Sequence, residues 1–114
     1  MEMQQIKSLQ SMVQEILNNI KEIANNKPET RITQDSVNTF NNILCQIRSI
    51  EELKANPVIG GMKNMMIPSS YREAAFEGPK VVDLVTNLSA IHGALLDYTR
   101  KHQKPLGRGG IENP

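Results

Sequence analysis

The sequence predicts an all-α protein: a small helical bundle of three long helices plus one short helix, with an ordered Gly/Met-rich loop and a flexible C-terminal tail. Three observations lead there. Apolar residues recur at spacings of 3, 4, 3, 4, 3 in two separate segments, a heptad pattern that only a helix turns into one stripe. Capping residues and helix breakers stand at the ends of these segments. The composition is aliphatic, with 39% hydrophobic residues but only 4% aromatic and no tryptophan, so the core must come from Ile, Leu, Val and Met. At 114 residues the chain is one domain by length. The expected division is a helical bundle over residues 1–102 and a tail over 103–114.

The first helix is expected from Glu2 to Asn26. Ile6, Leu9, Val13, Ile16, Ile20 and Ile23 occupy unbroken a/d positions, and Met3, Leu17 and Ala24 widen the stripe at e. The e and g positions carry no charge, which favours packing into a broad bundle over a free-standing coiled coil. Asn25-Asn26-Lys27-Pro28 ends the helix. In the second, Thr33 suits the N-cap, Asp35 falls in the first turn, and Ile32 can pack on Val37 as a hydrophobic staple. Val37, Phe40, Leu44 and Ile47 form its stripe, which then drifts to Ile50 and Leu53. Ser49-Ile50-Glu51-Glu52 reads as a capping box at which the helix kinks or restarts, and Asn56-Pro57 stops it.

Residues 57–70, PVIGGMKNMMIPSS, are too apolar for a solvated linker and too rich in Gly and Pro for a helix. An ordered loop lying on the protein is expected, with Met62, Met65 and Met66 filling packing gaps. Ser70-Tyr71-Arg72-Glu73 opens the short helix, closed by Gly78. Pro79 fits the first position of the last helix. There Val81, Leu84, Leu88, Ile91, Leu95 and Tyr98 repeat the heptad, and a second stripe runs beside it: Val82, Val85, Ser89, His92, Leu96 and Thr99. An apolar arc this wide is not satisfied by one neighbour. With few other helices to surround it, the second stripe is expected at an interface between copies of the chain.

Chemistry is sparse. His92 and His102 are ten residues apart, roughly 15 Å along a helix, and no metal-binding spacing occurs, so neither a metal nor a cofactor is expected. Cys45, the single cysteine, sits beside core-like Leu44 and is expected to be buried, which disfavours its thiolate. Cys45 could meet His92 in the fold, with Asp97 or Asp83 as orienter, but a buried thiol and a structural His92 are favoured, and the chain is not expected to be an enzyme. A net charge of +1 supplies no global field for nucleic acid or membrane. The N-terminus lacks the apolar stretch of a signal peptide, no run is long enough to span a bilayer, and the cytoplasm is the expected compartment.

Three function classes remain. The favoured one is a non-catalytic homo-oligomeric helical protein that binds another protein. The second sequesters a small anionic, nucleotide-like ligand between subunits, as a phage or mobile element would against host signalling. Its site would comprise Gly60, Gly61, Lys63, Tyr71, Arg72 and Lys80, joining close backbone approach, cations and a stacking ring. The third is weak nucleic-acid association through Arg100, Lys101, His102, Lys104 and Arg108. Cations in a last helical turn also simply oppose its dipole, and the tail has no aromatic stacking set.

Overall fold

A computed structural model of the chain describes residues 2–65 and 78–102. The described residues form five helices and no strand: α1 (Glu2–Asn26), α2 (Gln34–Arg48), α3 (Glu51–Lys54), α4 (Pro57–Gly61) and α5 (Val81–His102). Three of them are long, and the all-α bundle expected from the heptads is the observed fold. The expected short helix opening at Ser70 and the tail from residue 103 lie outside the described residues.

The long helix α5 organises the core. All six residues of its first stripe, Val81, Leu84, Leu88, Ile91, Leu95 and Tyr98, are buried. Helix α1 makes the most extensive pairing with it. The Gln10 amide near the start of α1 donates to the Leu95 carbonyl (3.2 Å) and to Thr99 Oγ1 (2.8 Å) near the end of α5. Ile16, further along α1, shares a crevice with Leu84 and Leu88 near the start of α5. The two helices are therefore antiparallel.

Helix α2 runs alongside α5 in the same direction. Thr33 caps its start by accepting from the Ser36 amide (3.2 Å), and Asp35 lies in the first turn, as its sequence predicts. An isolated bridge joins Arg31 to Lys80: the Ile32 amide donates to the Pro79 carbonyl (2.9 Å) and the Val81 amide to the Thr30 carbonyl (2.7 Å). Arg31 Nη1 adds a bond to the Gly78 carbonyl (3.0 Å), and Lys80 pairs with Glu29 at 2.8 Å. At the other end, Glu52 of α3 meets Lys101 and His102 of α5.

Four local expectations are corrected. Ser49 is not the N-cap of a capping box; it closes α2, with its hydroxyl donating to the Gln46 carbonyl (2.6 Å), and α3 restarts after Ile50 without a side-chain cap. Residues 57–61 are helical, because the Asn56 side chain accepts from the amides of Val58 (2.9 Å) and Ile59 (3.2 Å) while Pro57 supplies a helical φ. The loop resumes at Met62, where Met65 donates its amide to Asn41 Oδ1 (2.6 Å) on α2, and Met62 and Met65 pack against the core as expected. Pro79 precedes α5 by two residues, since its carbonyl is committed to Ile32 and the helix bonds begin from the Lys80 carbonyl. Cys45 is exposed rather than buried. The buried residues of α2 are Val37, Phe40, Ile43, Leu44 and Ile47, and at 100° per residue Cys45 lies about 140° from their centre.

Candidate functional site

Two residues of the second stripe of α5, His92 and Leu96, line one wall of an open groove. Val82, Val85, His92 and Thr99 are half-buried, Ser89 is exposed, and Leu96 keeps 41% of its surface in solvent. The other wall is α1, which contributes Gln10, Ser11, Gln14, Glu15, Asn18 and Asn19 to a groove of about 510 Å³ containing His92 and Leu96. Thr99 is taken up by its bonds with Gln10 and with the Leu95 carbonyl (3.0 Å). Gln14 and Asn18 pair with each other at 2.9 Å. The stripe therefore faces an amide-rich wall. Val82 and Val85 are partly buried against the core, and Leu96 is the exposed aliphatic residue of the stripe.

The opposite flank of α1 is more apolar. The residues fully buried along α1 are Ile6, Leu9, Val13 and Leu17, not the whole heptad series. Ile16 and Ile20 are half-buried and Ile23 is 43% exposed, although all three hold a/d positions. A straight helix drifts about 20° per heptad against a 3.5-residue repeat, so Ile16 and Ile23 turn out of the arc that Ile6, Leu9, Val13 and Leu17 bury, while Ile20 stays within it. Ile16 and Ile20 still pack against the edge of the core, while the backbone of α2 makes no extensive approach to that of α1 and Ile23 is left exposed. Between α1 and α2 a crevice of about 120 Å³ opens onto Ile16, Phe40, Leu84 and Leu88, rimmed by Asp35, Ser36 and Thr39. By sequence, Ile16, Ile20 and Ile23 are expected on one stripe packed into a broad bundle, and the exposure of Ile23 departs from that expectation.

The residues proposed for an anionic ligand are only partly described. Tyr71 and Arg72 lie outside the described residues. Gly60 and Gly61 end α4, where a Cβ on Gly60 would stand 3.2 Å from the Lys54 carbonyl, while Gly61 has open space. A side chain at Gly60 would therefore crowd the backbone at the end of α3. Lys63 is exposed beside Asn64, which accepts from Arg48 Nη1 (3.4 Å) at the end of α2. Lys80 pairs with Glu29 beside the start of α2. The structure places these two cations at opposite ends of a 15-residue helix, about 22 Å long.

At the end of α5 the cations are matched by acids. Arg100 Nη1 meets Asp97 at 3.1 Å, Lys101 Nζ meets Glu52 at 3.3 Å, and His102 Nε2 lies 2.7 Å from Glu52, its ring 4.3 Å from that of Tyr98. The hydrogen bond from His102, joined by Lys101, holds the Glu52 carboxyl below its usual value of 4.5. Glu29 is lowered likewise, by the hydrogen bond and charge of Lys80. Lys104 and Arg108 lie outside the described residues. Among the described residues, no three His, Cys, Asp or Glu side chains gather as a metal site, and no helix is long and apolar enough to cross a membrane. Cys45 is not among the residues lining the groove that holds His92. No protein-family model, curated protein or solved structure matches this chain.

Proposed function

We propose that the protein is a non-catalytic, homo-oligomeric helical binding protein. The observation that supports this reading is the apolar flank of α1: Ile16 and Ile20 are half-buried and Ile23 is exposed in one stripe beside an open crevice, and among the described residues no helix covers Ile23. Single exposed aliphatic residues are ordinary on any surface, but a stripe continuous with a crevice is the form of an association site. The α5 groove, with Leu96 exposed among amide side chains, is then the face left for a different protein, since adaptable amides around an apolar contact suit such a surface. The separation of Lys63 from Lys80 gives the anionic-ligand arrangement no support, and the cations at the end of α5 are already matched by Asp97 and Glu52.

Sedimentation velocity of the full chain over a wide concentration range tests the self-association. The expected result is a species heavier than the 12.8 kDa chain whose fraction rises with concentration. A single 12.8 kDa species at every concentration would overturn the reading.

A further inference from the structure

The geometry points to a two-fold, antiparallel pairing of α1 with α1 of a second copy, in which Ile23 of each chain fills the crevice of the other. This rests on the self-association just proposed and names its face and register.

An interface related by a two-fold axis must be self-complementary, so a patch that uses it needs both a projection and a matching hollow. Both are present. The hollow is the crevice floored by Phe40, Leu84 and Leu88, with Ile16 on its α1 side. Its volume of about 120 Å³ is well above the ~10–15 Å³ that one water needs and leaves room for an aliphatic side chain. The projection is Ile23, 43% exposed. Seven residues separate it from Ile16, two helical turns, so the two lie on one stripe about 10 Å apart.

Register and direction follow from that offset. A parallel two-fold would set Ile23 against Ile23 and leave both hollows empty. An antiparallel one that sets Ile23 against Ile16 places the axis midway between them, beside Ile20. The heptad supports a helix as occupant. A strict a/d repeat is the seam of a coiled coil, and the monomer uses only Ile6, Leu9 and Val13 of it for full burial.

Charge also fits a second copy of the same chain. The e and g neighbours of the stripe are Gln10, Met12, Leu17, Asn19 and Ala24, all uncharged. Lys7, Glu15, Lys21 and Glu22 fall on the arc about 100° or more from the stripe's centre. No like charges are therefore forced together when two identical flanks meet. The one acid on the crevice rim, Asp35, lies in the first turn of α2, where the helix dipole favours it.

Cysteine crosslinking of the full chain tests this, in a Cys45→Ser background because the native thiol is exposed. Ile20→Cys should form a disulfide-linked dimer on mild oxidation, since the two copies meet at the axis. Ile23→Cys alone should not, its two Cα atoms being about 10 Å apart along the seam, beyond disulfide reach. Mixing Ile23→Cys with Ile16→Cys chains should give a mixed dimer. A second arm guards against a misfolded variant: Ile23→Asp, at an exposed position, should keep its helical circular dichroism and weaken self-association about 100-fold, because it buries an unpaired charge. Leu96→Asp should leave self-association unchanged. If the wild-type chain assembles but Ile20→Cys does not crosslink, or Leu96→Asp rather than Ile23→Asp dissociates it, this interface is wrong and self-association stands. If the wild type never assembles, both fall.

Discussion

Leu95 and Leu96 are adjacent on α5 and chemically identical, yet Leu95 is fully buried and Leu96 is 41% exposed. Truncating each to alanine measures the orientation of α5 directly. Leu95→Ala removes three buried carbons, about 2.4 kcal/mol at ~0.8 kcal/mol each. It also leaves a cavity of roughly 80 Å³ that the close α1–α5 pairing cannot collapse, adding about 2 kcal/mol at ~24 cal/mol per Å³. The expected loss is about 4 kcal/mol. Leu96→Ala removes the same carbons with little more than half their surface buried, and the open groove beside it leaves no sealed cavity. Its loss should be about 1 kcal/mol, a little of which alanine's helix propensity returns. Urea denaturation read by circular dichroism, with equal slopes for both variants, gives the two values. A Leu95→Ala loss under about 1.5 kcal/mol, or a Leu96→Ala loss as large as that of Leu95→Ala, would mean that α5 presents a different face to the core.

Three further outcomes are expected. Thr33→Ala removes the side-chain acceptor for the Ser36 amide and should cost about 1 kcal/mol in the same urea assay, whereas a change below ~0.2 kcal/mol would deny the cap a role. Glu52 has a lowered folded-state carboxyl, so its contribution is fully present above the usual 4.5 and fades as pH falls through the folded value. Glu52→Gln should therefore flatten the acid limb of stability against pH below that point, by a small amount because the carboxylate is solvent-exposed; an unchanged limb would remove the Glu52–His102 contact from the account. Cys45 should react with a water-soluble disulfide reagent in the native state at nearly the rate of a free thiol, and protection until denaturant is added would contradict the exposed face assigned to it.

The three long helices were legible because helix and core impose a single period, and α5 follows it without exception from Val81 to Tyr98. The Thr33 cap was legible for a local reason: a hydroxyl three residues before an amide has one good use. What was not legible depended on neighbours. Ser49 has the spacing of an N-cap, but the preceding helix claims its hydroxyl first. Pro79 suits a helix start, but pairing with Ile32 holds it outside. Cys45 sits between core residues in the chain but about 120° from the centre of the stripe of Val37, Phe40, Leu44 and Ile47, so the helical period and not the chain neighbour decides its side. The candidate interface was half legible. The heptad of α1 announced a stripe packed into a bundle, while the division of that stripe between core and solvent depends on how closely α2 approaches α1.

Native mass spectrometry of the gently desalted full chain tests the central claim most directly, because it counts subunits and retained ligands together. The account predicts an even number of 12.8 kDa chains with no added mass. A monomer at all concentrations, or an assembly carrying a few hundred daltons per site, would contradict it.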